Sequence, residues 1–161
     1  MPNTISLRDV TDADLPILFE YQRDLEANRM AAFTPREPED RVGFMAHWAT
    51  ILADDRVDKQ TILCDGQVVG SMVSFEMEGH REVGYWIGRE FWGKGIATQA
   101  LALFLDQVKV RPLYGYCAKD NIGSIRVLEK CGFAICGETK EFSNARGEDV
   151  EQVILRLDGS E

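Results

Sequence analysis

The chain has 161 residues, 45% hydrophobic and 28% charged, with a formal net charge of −9 and an isoelectric point near 4.8. Such a length and balance suit one soluble domain over residues 1–161, large enough to enclose a hydrophobic core. The negative charge argues against a nucleic-acid backbone as partner, because such sites need a basic surface, and no apolar run is long enough to cross a bilayer.

Residues 1–6 carry no basic stretch followed by an apolar one, so no secretory signal is expected. The four cysteines, Cys64, Cys117, Cys131 and Cys136, form no CxxC pair. Reduced thiols in a cytoplasmic protein are the expectation, with no metal site.

Taken in order, residues 5–10 read as a first strand. Thr11-Asp12-Ala13-Asp14 supplies capping residues, and Leu15, Leu18, Phe19 and Leu25 follow at helical spacing. After a polar stretch with Pro35 and Pro38, residues 39–53 read as a second helix. Residues 61–64 and 68–77 form a hairpin around Asp65-Gly66, a dipeptide suited to a tight turn. A further turn at Gly79-His80 leads into a strand ending at Ile87. A helix follows from Ala97 to Val108, then a strand over 113–118 and a short helix over 121–130. Gly132 is placed for a left-handed helix cap. Residues 133–139 and 151–157 close the order as two strands, joined through a turn at 143–147. This β-α-α-β-β-β-α-β-α-β-β order implies an α/β fold, a mixed sheet of about seven strands with about four helices on both faces.

The most informative segment is Trp92-Gly93-Lys94-Gly95-Ile96-Ala97, between a strand and a helix. Glycines permit a sharp turn, and the first helical amides have no internal partners, so the segment suits an anion. A P-loop requires GxxxxGK followed by Ser or Thr, yet Lys94 is followed by Gly95. A dinucleotide fingerprint requires a third glycine where Thr98 stands, in a first βα unit. Neither fits. A tight structural connection is the other reading of the glycines.

The surroundings decide between them. Tyr85-Trp86-Ile87-Gly88, the glycine turn, the helix, and Asn121-x-x-Ser124-x-Arg126-Val127-Leu128-Glu129-Lys130-Cys131-Gly132-Phe133 occur in that order. The chain thereby resembles the GNAT superfamily of acyl-CoA-dependent N-acyltransferases, and within it the branch that acetylates ribosomal-protein N-termini. The resemblance runs from about residue 5 to 157 and is most specific between Gly84 and Phe133. At the turn the family pattern begins with Gln or Arg, where this chain has Glu90 or Trp92 depending on register. Backbone amides rather than a basic side chain must then carry the pyrophosphate.

The resemblance implies a mostly antiparallel sheet splayed in its middle, acetyl-CoA as co-substrate and an amine acceptor, either a peptide N-terminus or a small molecule. Gly93, Gly95, Ile96 and Ala97, with Trp92 beside them, would face the pyrophosphate. Lys94 either adds charge there or is only solvated. Tyr85, Trp86 and Ile87 would offer backbone groups to the pantetheine arm. Asn121 is an N-cap or a contact to that arm. Ser124 is a helix filler or the group that stabilises the departing thiolate. Arg126 and Lys130 either pair with Glu129 and Asp120 or reach the adenosine phosphate, pairing being favoured for Arg126. Glu82 is the candidate base, although it, Glu76, Glu78 and His80 also read as exposed turn residues. No cysteine is placed as a nucleophile, which favours direct attack in a ternary complex.

On the acceptor side, Asn28, Met30, Phe33 and Trp48 are the candidate lining, near Glu26 and Arg29. Trp48 also reads as core. Residues 143–147 form a second candidate rim. Two rival functions stand: a small-molecule acetyltransferase acting on a polyamine, amino acid or antibiotic, and an acyl-CoA-binding module without turnover. A homodimer is left open.

Overall fold

The computed structural model describes residues 4–159. The strands are β1 (Ile5–Asp9), β2 (Asp58–Cys64), β3 (Gln67–Met77), β4 (His80–Ile87), β5 (Leu113–Ala118), β6 (Ala134–Ser143) and β7 (Glu148–Leu157). The helices are α1 (Leu15–Gln22), α2 (Leu25–Ala31), α3 (Arg41–Ala53), α4 (Ile96–Gln107) and α5 (Ile122–Lys130). Short 3₁₀ turns occupy Asp12–Asp14 and Arg89–Phe91.

The strands form one sheet in the order β1-β2-β3-β4-β5-β7-β6. Every neighbouring pair is antiparallel except β4 and β5, which run parallel. Two hairpins form, the first turning at Asp65-Gly66 as its dipeptide predicts and the second at Glu78-Gly79, one residue earlier than the expected Gly79-His80, because His80 already pairs in β4. Asp65-Gly66 and Glu78-Gly79 both have positive φ at both residues, the conformation that matches strand twist in a two-residue turn.

Strand alternation sorts the side chains between two faces. Ile62, Val69 and Met72 join Leu101 and Phe104 of α4 and Leu128 of α5 in the larger core. Their neighbours Leu63, Val68 and Val73 point the other way, onto Leu15, Leu18 and Trp48. Helices therefore cover both faces, as the element order implies. No helix among the described residues is long and apolar enough to cross a membrane.

The first helix differs from expectation. Apolar spacing suggests continuity through Leu25, but the chain breaks into α1 and α2. Asp24 has extended backbone and its carboxylate accepts from Ala27 N–H at 3.1 Å, starting a new helix. The Asn28 amide donates to Gln22 O at 2.7 Å and Asp24 O at 2.8 Å, fastening the break from inside. Five helices result rather than about four. The closing strands also extend further than expected, because β6 and β7 pair from Ala134↔Arg156 to Ser143↔Glu148, with one bulge between Ile135 and Gly137.

Candidate active site

The site begins with a fault in the sheet. β4 and β5 pair only at Arg81↔Leu113 and Glu82↔Tyr114. Beyond that point the strands diverge. β4 remains bonded to β3 as far as Gly70↔Ile87, and β5 remains bonded to β7 as far as Ala118↔Gln152. A wedge opens between two intact half-sheets, closed at Glu82 and widening towards Ile87. The inner edges of β4 and β5 there carry backbone N–H and C=O groups without ladder partners.

A cavity of about 560 Å³ fills this wedge. Its strand wall holds Tyr85, Trp86 and Ile87, its mouth Trp92, Gly93, Gly95, Ile96 and Ala97, and its far wall Asn121 and Ser124. Ten of the cofactor-side residues singled out from the sequence thus meet in one place. Lys94, adjoining the mouth, does not line the cavity; its ammonium lies 6.0 Å from the centre of the Phe91 ring.

The mouth is shaped for a backbone-bound anion. Gly93 and Gly95 have φ of 75° and 76°, in the left-handed region that favours glycine. A Cβ at Gly93 would meet nothing within 4 Å, and one at Gly95 would meet only Gln99 Nε2 at 3.7 Å. Side chains there would project into the space a ligand would use. The first backbone bond of α4 is Gln99 N–H to Gly95 O at 3.2 Å, so the amides before it retain their donors. The exposed Trp92 indole is anchored by its N–H to Ile87 O at 2.9 Å.

Arg126 and Lys130 line the same cavity, exposed. The pairing favoured from sequence for Arg126 is not formed. Among the described residues neither cation has an acidic partner within salt-bridge distance, and Asp120 is instead held by two guanidinium bonds of Arg146, at 2.7 and 2.9 Å. Sequence proximity favoured Arg126, but the β6–β7 turn delivers Arg146 from the other side.

Asn121 caps α5, its side-chain oxygen accepting from Ser124 N–H at 3.3 Å. The Ser124 hydroxyl accepts from the Tyr85 phenol at 3.2 Å. Burial pushes that phenol above the ordinary tyrosine range, against the opposing pull of Ser124.

Glu82 lies outside the cavity lining, on the opposite face of β4 from Tyr85, at the closed end of the wedge. It is not an exposed turn residue: 14% of its side chain is accessible. Its carboxylate lies 3.4 Å from His80 Nε2, which in turn meets the Tyr116 hydroxyl at 2.9 Å. The His80 ring packs against Tyr114 with centroids 4.5 Å apart. Burial pushes the Glu82 carboxyl above its usual range; His80 opposes this, while Glu78 and Glu141 add to it.

The acceptor-side candidates disperse. Of the four, only Met30 lines the cavity, beside Ala27 and Ala31 of α2. Asn28 is 2% exposed and its amide fastens the α1–α2 break, while its buried side-chain oxygen has no hydrogen-bond partner among the described residues. Phe33 packs on Ala32, Ala118 and Val150 instead. Trp48 is a correction: at 5% exposure it belongs to the core beneath α1 and α3. Its helical spacing also reads as core, and packing settles it as core.

The sequence reading missed how this wall is fixed. In the β6–β7 turn, Ser143 Oγ donates to Ala32 O at 2.6 Å and Arg146 Nε donates to Arg29 O at 2.7 Å. Arg146 therefore ties α2, Asp120 and its own turn together. The segment 143–147 reads from sequence as a turn and a second candidate rim, but the α2 carbonyls it binds lie more than a hundred residues away.

With this geometry in place, comparison with known proteins is direct. The acetyltransferase (GNAT) domain model matches residues 4–134. An uncharacterized N-acetyltransferase, p20 of Bacillus licheniformis, is 23% identical over 164 residues, covering 95% of this chain and 92% of that protein. The spermidine N(1)-acetyltransferase of Escherichia coli K12 is 27% identical over 143 residues, covering 84% of this chain and 76% of that one. Among solved structures, Mycobacterium smegmatis RimJ in complex with CoA-disulfide superposes with a TM-score of 0.80 at 20% identity, over 96% of this chain and 81% of that one. The splayed seven-stranded sheet, the glycine-lined mouth and the family match over residues 4–134 together establish this chain as a member of the GNAT N-acetyltransferase family.

Proposed function

We propose that this chain transfers the acetyl group of acetyl-CoA to a primary amine by direct attack in a ternary complex. The observation that carries the reading is the wedge itself, which has an anion cradle at its mouth, a carboxylate at its closed end and a hydroxyl pair joining its strand wall to its far wall. In this reading the free amides from Gly93 to Ala97 hold the pyrophosphate, with Arg126 and Lys130 as the cations nearest the adenosine phosphate. The unpaired edge of β4 at Tyr85, Trp86 and Ile87 bonds the amide-bearing arm as a further strand would.

The acetyl end then sits towards the closed end of the wedge, between the two faces of the sheet. Glu82 on the α2 side takes the proton from the incoming ammonium, directly or through water. The neutral amine forms its bond to the thioester carbonyl carbon, the carbon–sulfur bond breaks, the sulfur leaves with the electron pair, and the nitrogen sheds its extra proton to water as the amide forms. On the α5 side the Ser124 hydroxyl stabilises that thiolate by hydrogen bond, while Asn121 fixes the helix end that presents it. Base and leaving-group partner thus stand on opposite faces, so the proton is removed where the amine arrives and charge is received where the thiol departs.

The acceptor reading rests on the α2 side. Met30 offers apolar surface, and Glu82, Glu78 and Glu141 make the approach negative. This favours an acceptor that arrives as a cation, whether a peptide N-terminus or a polyamine, and the similarity to a spermidine acetyltransferase supports including the latter. Four unpaired cysteines suit a reducing, cytoplasmic setting. The test is a panel of peptides and small amines, spermidine among them, with acetyl-CoA as donor and free thiol as readout. Amine-dependent thiol release is expected. Tight acetyl-CoA binding with no release for any member would leave an acyl-CoA-binding module instead.

A further inference from the structure

Tyr85 enters the sequence reading only through its backbone, yet its side chain is the better-placed group. The ring packs against the main core between β4 and α5, and its hydroxyl reaches Ser124 Oγ at 3.2 Å. The surrounding partners are poor. Cys117 is buried with its thiol pushed up to about 12 by burial, and Cys131 Sγ is turned to Thr98 O at 3.6 Å. Among the described residues the phenol has no other hydrogen-bond partner. Ser124 Oγ is the acceptor within reach of the protonated phenol, so Tyr85 donates and Ser124 accepts.

A serine hydroxyl is a rotor with one proton and two lone pairs. Serines in helices often return that proton to the carbonyl one turn back, which would waste it for chemistry. Among the described residues the Ser124 hydroxyl makes no such bond; its partner is the Tyr85 phenol, while the Ser124 backbone N–H donates to the Asn121 side chain. With one lone pair engaged by Tyr85, the Ser124 hydroxyl keeps its own proton available to a partner in the cavity both residues line.

We infer that Tyr85 is a positioning residue that orients the Ser124 hydroxyl so that its proton is presented to the sulfur of coenzyme A. The inference rests on the proposed role of Ser124, and its test separates the two. Coenzyme A is bound to the wild-type protein and to the Y85F, S124A and Y85F/S124A variants, and the bound thiol is titrated by its ultraviolet thiolate absorbance. No acceptor amine is needed. Calorimetry first establishes that Y85F binds CoA within about threefold of wild type, since phenylalanine retains the ring; loss of binding would make Tyr85 a wall residue and overturn the inference.

The wild-type protein should hold about tenfold more thiolate at a given pH than free CoA, the effect expected of one charge-assisted hydrogen bond. S124A should lose about tenfold, Y85F about threefold to fivefold, and the double variant no more than S124A. S124A behaving as wild type would remove the role of Ser124 and the inference with it. S124A losing thiolate while Y85F does not would leave Ser124 in place and overturn Tyr85 alone. Additive losses in the double variant would mean that Tyr85 acts independently of Ser124, which also overturns the inference.

Discussion

On the cofactor side of the cleft, shape comes from residues close together in sequence. Gly93 and Gly95 turn the chain, α4 begins one residue later, and Asn121 caps the helix that carries Ser124 three positions on. On the acceptor side, shape comes from residues far apart. Arg146 bonds to Arg29 O across 117 positions, and Ser143 bonds to Ala32 O across 111. A wall built locally is set by a few backbone angles. A wall built by remote ties depends on a whole fold arriving in register, and its details shift with each tie.

The comparison can be broken hardest at the glycine turn. Gly95→Glu places a bulky anion, in a left-handed conformation it resists, where the amides should receive phosphate. Acetyl-CoA binding should fall below calorimetric detection; unchanged affinity would remove the cradle from the site. The next largest effect is expected from Glu82→Gln, with turnover down about 100-fold and acetyl-CoA affinity within about twofold. Because the Glu82 carboxyl is raised, the acid limb of the wild-type rate profile should lie above the ordinary glutamate range. A carboxyl raised by burial favours the fold in its protonated form, and that contribution is lost as pH rises through the folded value. The neutral glutamine should therefore cost no thermal stability at neutral pH. An acid limb that persists unchanged in the variant would exclude Glu82 as the base.

Arg146→Ala tests the remote wall. It leaves two α2 carbonyls and Asp120 without their donor, and should raise the acceptor KM about tenfold and lower stability by about 1–2 kcal/mol. Acetyl-CoA affinity should hold within about twofold. An equal loss at both substrates would show the two walls to be one unit. The smallest effect is expected at Ala32, which has φ 67° within a tight turn closed by Phe33 N–H to Ala31 O at 2.8 Å. Ala32→Gly relieves that conformation but loses a fully buried methyl and frees the unfolded chain. Chemical denaturation should find a net change under about 1 kcal/mol.

The same contrast explains what could be read from the sequence. The hairpins, the glycine turn and α5 were legible because dipeptides and caps act over a few residues. Tyr85, Trp86 and Ile87 were placed by the strand that leads into the turn. The α1–α2 break was signalled by Asp24 before Leu25-Glu26-Ala27, an N-cap masked by apolar spacing that continued across it. Trp48 and Phe33 carried no mark separating core from lining, because both are apolar residues whose burial is fixed by neighbours elsewhere in the chain. Arg146 sits in a polar turn like many others, and no local periodicity records the distant carbonyls it reaches.

The parting of β4 from β5 has one more consequence. A sheet ordinarily exposes hydrogen-bonding edges only along its first and last strands, where other chains can add on and aggregate. Here β4 and β5 create two extra edges in the middle of the sheet, roofed by α4 and α5 and walled by the neighbouring strands. The proposed binding of the amide-bearing arm of acetyl-CoA would use that enclosed edge in place of another strand. The hydrogen-bonding capacity of a β-edge is thus retained inside the molecule, away from the outer edges at which chains aggregate.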